Sequence, residues 1–303
     1  MQTERFAKVQ APATTANLGP GFDSLGIALA LHNTVELQPA PDPRVEVTGQ
    51  GAGELPTDET NLCYCAAQRL AEEAGYSGHW HLCQENSIPL ARGLGSSSAA
   101  IVAGIIAASQ ALDYRLDRQE ALRLAVEMEG HPDNVAPALF GGLTVCFEQH
   151  DETKAAVALD APEGLVAVLA IPDFQVNTQH ARDVLPDQVP RRNAVFNTGQ
   201  AAAVVAMLAS GQYDGLADAM RDRLHQPYRA HLVPGMEELI QAAIEAGARG
   251  AALSGSGPTI VALAEPDNSQ RVQAGMLQAG PRTGKNWTGM ILPLDSHGVK
   301  ILT

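Results

Sequence analysis

Apolar and polar positions along this chain mix two periods without a regular alternation of strands and helices. The segment Phe6-Ala7-Lys8-Val9-Gln10-Ala11-Pro12 alternates, as do Val35-Glu36-Leu37 and Val45-Glu46-Val47, and each predicts a short strand. A proline-rich turn at 39–43 separates the last two, and apolar residues also gather at 27–31. A helix is expected over 61–74, with Thr60 as N-cap and Gly75 as its stop. Trp80-His81-Leu82 reads as a strand, 99–112 as an apolar helix, and 118–128 as a second helix capped by Asp117.

Residues 141–147 predict another strand, and the polar stretch 149–154 marks the expected domain boundary, dividing the chain into 1–153 and 154–303. Beyond it come a buried strand at 165–171, helices at 193–210 and 236–246, and strands at 251–253, 259–264 and 291–294. This order predicts an α+β protein with two layers per domain. No repeat and no low-complexity tract interrupts it.

Composition narrows the function. The 303 residues are 45% hydrophobic and 18% charged, enough for a sizeable core, and the core must be aliphatic because only 4% are aromatic. A net charge of −14, with no basic run longer than Arg191-Arg192, argues against nucleic-acid binding. A nucleotide would have to be held locally, by backbone amides and Mg²⁺. The first six residues carry no leader pattern, and no apolar run approaches the ~18 residues that span a bilayer. Cys63, Cys65, Cys83 and Cys146 form no zinc pattern and read as reduced thiols of a cytoplasmic protein.

The chemistry concentrates in four places. Pro89-Leu90-Ala91-Arg92-Gly93-Leu94-Gly95-Ser96-Ser97-Ser98-Ala99 is a glycine loop opening a helix, whose free amides and dipole favour a phosphate. A serine-rich helix cap is the alternative. The loop lacks the Gly-Lys-Ser/Thr ending of a P-loop and the third glycine of a dinucleotide fingerprint. Asn17-Leu18-Gly19-Pro20-Gly21-Phe22-Asp23 is a tight turn that either carries Asn17 and Asp23 into a pocket or serves structure alone. Glu127-Met128-Glu129-Gly130-His131-Pro132-Asp133-Asn134 is a helix exit, either solvated or folded back onto Ser96–Ser98. Ser254-Gly255-Ser256-Gly257-Pro258 follows a strand and permits close backbone approach, or is a bend between strands.

In this order the four motifs resemble the GHMP small-molecule kinases. Ala13 to Asp23, Glu129 to Asn134 with Val135-Ala136-Pro137, Ser254 to Pro258 and Asn177-Thr178-x-x-Ala181-Arg182 resemble the homoserine kinase family within them. The resemblance runs from about Val9 to Leu263. It implies an N-terminal domain with a left-handed βαβ crossover, a C-terminal ferredoxin-like domain, and ATP-dependent phosphorylation of the L-homoserine hydroxyl in threonine biosynthesis. By the same resemblance the loop from Pro89 binds ATP together with Asn61, and Ser97 and Glu129 hold Mg²⁺. Asn17, Asp23, His131, Asp133, Thr178, Arg182, Arg229 and Gly255 bind substrate. Charge supports this: two aspartates can pair with an ammonium, and two arginines can clamp a carboxylate.

Asn134 stands where mevalonate kinase and galactokinase carry a catalytic Asp, so no base is named. Glu127 is a second possible metal ligand, which spacing from the loop disfavours. Alternatives are another kinase of the superfamily, acting on threonine, mevalonate or a sugar, and an inactive metabolite sensor. The paired charges disfavour mevalonate, and the intact loop with Ser97 and Glu129 disfavours a sensor. Neither nucleic acid nor membrane is an expected partner; a homodimer is compatible with the sequence.

Overall fold

The computed structural model describes residues 6–280 and 284–302; Met1–Arg5, inspected above for a leader, lie outside them. The chain begins β1 (Ala7–Ala16), β2 (Leu25–Ala40), β3 (Arg44–Gly49), α1 (Leu62–Glu73) and β4 (His79–Asn86). Next come α2 (Ser96–Leu112), α3 (Arg118–Glu129), α4 (Pro132–Phe140), β5 (Leu143–Glu148), β6 (Lys154–Leu159) and β7 (Val166–Pro172). Helices α5 (Thr178–Asp183), α6 (Arg191–Ser210), α7 (Leu216–Ala219), α8 (Gln226–Arg229) and α9 (Met236–Glu245) follow. The chain closes with β8 (Gly250–Leu253), β9 (Ile260–Ala264), α10 (Pro266–Ala279), β10 (Trp287–Pro293) and β11 (Lys300–Leu302).

A seven-stranded sheet runs β11-β1-β2-β4-β3, with β5 on the far part of β2 and β6 on β5. Strands β3 and β4 are parallel and joined through α1, a βαβ unit. The remaining pairs are antiparallel. The second half of β2 alternates as its sequence does, with Val35 and Leu37 inward. Pro12 sits inside β1 because the register shifts between Pro12 and Ala13, and the strand continues to Ala16 past the bulge.

Helix α2 is apolar on nearly all sides because it packs against α1, α3, α4 and the sheet at once. A Cβ on its Gly104 would lie 2.3 Å from the Cys63 carbonyl oxygen, so only glycine permits this approach to α1. Helix α3 stops at Gly130 as expected, in the left-handed conformation, and Pro132 then occupies the first turn of the further helix α4, with Pro137 inside it.

The second sheet, β10-β7-β9-β8, is wholly antiparallel, which with its helices gives the ferredoxin-like arrangement. Ala167, Leu169 and Ile171 face the large core shared with the first sheet, whereas Val168 and Ala170 face α9 and α10. Burial on both faces explains the unbroken apolar run of β7. The change of sheet does not fall at the boundary expected at 153/154. Strand β6 lies past it yet pairs with β5 from Glu148↔Lys154 to Leu143↔Leu159, and β11 returns to β1. The polar stretch is a hairpin turn closed by Gln149 N–H to the Thr153 carbonyl, and such turns carry the composition of linkers.

Asp295 anchors that return. Its carboxylate accepts from the His297 and Gly298 amides and pairs with His32, each at 2.8 Å. Burial pushes this carboxyl up, but His32 and the two amides outweigh it and hold it at about 2. A depressed folded-state value stabilises above the unfolded pKa and ceases to do so as pH falls through about 2. Asp295→Asn is therefore expected to remove about 2 kcal/mol at neutral pH. Urea denaturation should show the difference closing towards pH 2.

Candidate active site

The glycine loop and the other three motifs line one cavity of about 550 Å³. Helix α2 starts at Ser96, three residues earlier than its apolar pattern suggests, because the hydroxyl run forms its first turn. Gly95 is the N-cap at φ +67°, and a Cβ there would lie 1.9 Å from Thr14 Oγ1. Thr14 in turn donates to Asn134 Oδ1 at 2.8 Å, and its amide donates to the Leu94 carbonyl. On the other side Ser254 Oγ donates to the Gly93 carbonyl at 2.6 Å. The loop is thus held open by both sheets, its helix-start amides turned to the cavity. Arg92 does not stand in for a P-loop lysine: its Nε and Nη2 donate to the carbonyls of Pro172 and Asp173.

Asn61, expected at the nucleoside, is the N-cap of α1 in place of Thr60, accepting at Oδ1 from the amides of Cys63 and Tyr64. Its Nδ2 donates to the Pro56 carbonyl. It forms cavity wall, but its Oδ1 caps the helix and its Nδ2 is bonded to Pro56 and Gln84.

The helix exit folds back as the second of its two readings required. Ser97 Oγ and Ser98 Oγ donate to Glu129 Oε1 at 2.6 and 2.8 Å. Glu127, about 200° away around α3, binds Arg123 at 2.6 Å and Arg69 at 3.5 Å outside the cavity. Hydroxyls and a carboxylate converging on one point are the hard oxygen donors that suit Mg²⁺.

At the other end Asp133 is buried, with His131 Nδ1 at 2.8 Å and Asn134 Nδ2 at 3.4 Å from Oδ1. Its Oδ2 has no partner among the described residues. Burial works against a charged His131, but the hydrogen bond and charge of Asp133, with Glu129, raise its pKa overall. Asp23 and Arg182, assigned from the sequence to opposite ends of the substrate, hold each other through two bonds of 2.8 and 2.9 Å. The turn at 17–23 and helix α5 bring each within reach of its nearest charge complement. Asn17 is a strut rather than a free ligand. Its Nδ2 donates to the Gly255 carbonyl at 2.8 Å, and its Oδ1 accepts the Asp23 amide at 3.0 Å. Thr178 begins α5, with Oγ1 3.3 Å from Ser256 Oγ.

Arg229 is 2% exposed at the cavity wall. Its Nε donates to the Ala181 carbonyl at 2.9 Å, and Nη1 to His225 Nδ1 and the Gly255 carbonyl at 3.3 Å each. Its Nη2 has no hydrogen-bond partner among the described residues. Burial, and then the like charge of Arg182, bring its pKa down to about 10, so it remains a cation at neutral pH. Phe22 underlies both guanidiniums, at 5.2 Å from Arg229 and 5.6 Å from Arg182.

Four contributors escaped sequence reasoning: Thr14, Phe22, Asp222 and His225. His225 Nε2 lies 2.7 Å from the Gly19 carbonyl, so it carries the proton there and Nδ1 accepts from Arg229. Burial lowers its pKa, consistent with the neutral ring this bonding needs. Asp222 accepts the amides of Leu224, His225 and Gln226, setting the turn into α8. The spacing of His225 and Arg229, four apart on one helical face, was the available signal.

Family models match twice, the GHMP kinases N terminal domain over 61–142 and the GHMP kinases C terminal over 203–282. The homoserine kinase of Desulfitobacterium hafniense is 41% identical over 298 residues, 98% of this chain and 100% of that protein. That of Carboxydothermus hydrogenoformans is 47% identical over 255 residues, 84% of this chain and 83% of its own. The crystal structure of homoserine kinase from Cytophaga hutchinsonii matches at TM-score 0.89 and 32% identity, covering 100% of this chain and 99% of that one. Mevalonate kinase of L. major, in complex with R-mevalonate, shares the fold at TM-score 0.72 and 16% identity, over 98% and 97% of the two chains. With near-complete coverage by relatives of this similarity, and all four motifs on one cavity, the chain belongs to the homoserine kinase family of the GHMP kinases.

Proposed function

We propose that this protein transfers the γ-phosphoryl group of ATP to the side-chain hydroxyl of L-homoserine, giving O-phospho-L-homoserine for threonine biosynthesis in the cytoplasm. The observation that carries the reading is a single cavity with oxygen donors and helix amides at one end and a buried, incompletely bonded arginine beside an aspartate at the other. No helix among the described residues is long and apolar enough to cross a membrane.

The amides at the start of α2 bind phosphate oxygens, with no lysine required. Ser97 and Glu129 are the residues to hold Mg²⁺, which supplies charge neutralisation on the phosphates when bound. Arg229 Nη2 takes the substrate carboxylate, and Asp133 Oδ2 takes the ammonium. Asp23 neutralises Arg182, so among the described residues at this end of the cavity Arg229 is an arginine without a carboxylate in direct contact. The two-ended hold fixes the hydroxyl towards the phosphate loop, and positioning supplies much of the barrier reduction in phosphoryl transfer. Asn134 is uncharged, and its Oδ1 already accepts from Thr14, so it orients the loop rather than taking the hydroxyl proton.

A coupled ADP-release assay over homoserine, threonine, serine and mevalonate tests the substrate. Homoserine should give the highest kcat/KM, and mevalonate, lacking an ammonium, should give none above the ATP-only rate. Preference for mevalonate would reject the amino-acid site.

A further inference from the structure

On the face of the first sheet turned away from the core, Cys83 of β4 stands opposite Glu46 of β3, and His81 lies two residues earlier on the same face. The intervening Leu82 and the preceding Trp80 point into the core. His81 Nε2 is 3.0 Å from Glu46 Oε1 and 3.4 Å from Cys83 Sγ, and the three donor atoms lie within 4.8 Å of one another. A tetrahedral zinc with ordinary bond lengths separates nitrogen from oxygen by about 3.3 Å and nitrogen from sulfur by about 3.6 Å. The two pairs that include His81 therefore need to spread by only a few tenths of an ångström to admit an ion, and the Glu46–Cys83 pair lies within 4.8 Å.

We propose that Glu46, His81 and Cys83 form a binding site for one borderline divalent cation of the zinc class, separate from the kinase cavity. The combination of thiolate, imidazole and carboxylate selects against Mg²⁺, which prefers oxygen alone. Three protein ligands leave a fourth position for water, and Glu46 is on the solvent side. Glu36 of β2 flanks Cys83 on its other side, bound to Lys8 at 2.7 Å, and adds negative charge near the site. Arg44 holds Glu46 at 2.7 Å, and Gln38 Nε2 is 3.3 Å from His81 Nδ1. With its amide turned over, Gln38 would accept the Nδ1 proton of a metal-bound His81, the usual outer partner of a ligating imidazole. Burial, then Glu46 and Glu36, push the Cys83 thiol up, so binding exchanges its proton for the cation. The ion would pin the edge strand β3, whose far end leads into the segment carrying Glu54 and Leu55 at the cavity wall.

Cobalt(II) and zinc(II) added to the full chain under reducing, Mg²⁺-free conditions test this. One equivalent of Co(II) should produce a thiolate-to-cobalt charge-transfer absorption in the near ultraviolet, and Zn(II) should displace it. Cys83→Ser should abolish the band. His81→Ala should weaken Zn(II) binding by more than the roughly 10–100-fold typical of losing an outer partner. Cys65→Ser should leave both unchanged, and Zn(II) should raise the Tm of the wild type but not of Cys83→Ser. Absence of the band in the wild type, its survival in Cys83→Ser, or its loss in Cys65→Ser overturns the site.

Discussion

Arg229→Leu is expected to lower kcat/KM for homoserine by roughly 30-fold or more, the equivalent of losing one half of a buried charge pair at about 2–5 kcal/mol. The argument rests on bonding already present. Nε and Nη1 are committed to the carbonyls of Ala181 and Gly255 and to His225, and Phe22 supports the guanidinium face. The group is therefore preorganised, with Nη2 as the donor left for a ligand. Leucine also leaves the Ala181 carbonyl and His225 Nδ1 without their donor, so folding must be checked by circular dichroism and Tm. The control is 3-aminopropan-1-ol, which is homoserine without its carboxylate: wild type and variant should phosphorylate it equally poorly. The slow hydrolysis of ATP without substrate should change little. Wild-type homoserine kinetics in a folded Arg229→Leu protein would reject the carboxylate clamp.

Glu129→Gln should reduce kcat by roughly a hundredfold or more and raise the Mg²⁺ concentration needed for half-maximal turnover. Several kcal/mol of transition-state stabilisation is the ordinary share of a metal at phosphates. Glutamine keeps an oxygen for the hydroxyls of Ser97 and Ser98, so the local geometry survives while the charge is lost. Homoserine affinity by calorimetry should stay close to wild type, because the carboxylate lies at the other end of the cavity. Glu127→Gln supplies the contrast. Its partners Arg123 and Arg69 are surface groups, and an exposed pair contributes about 1 kcal/mol at most, so activity should be unaffected. A crippled Glu127→Gln beside a mild Glu129→Gln would exchange the two roles.

The fold of Glu129 onto Ser97 and Ser98 stood as one of two readings because it joins residues 31 and 32 positions apart, a distance no local period can report. The misreadings have local causes. Helix α4 was hidden by Pro132 and Pro137, since proline serves a first turn as well as it ends a helix. Strand β6 was hidden because the hairpin turn before it has the composition of a linker. Thr60 and Asn61 are both good caps by type; only the amides of Cys63 and Tyr64 choose between them.

The apolar periods, the glycine loop and the order of four motifs were legible in the chain alone, and they suffice for an α+β kinase of this family. Those features are local: a period of two or 3.6, a positive φ at Gly95, or free amides at a helix start require only neighbouring residues. Tertiary structure alone decided which charges remain available. Asp23 and Arg182 are 159 positions apart and neutralise each other; Asn17 reaches 238 positions to Gly255; His225 takes one donor of Arg229 and leaves another for the cavity. Whether a charged side chain binds a ligand or a neighbour depends on distances of about 3 Å across the fold, which sequence spacing does not encode.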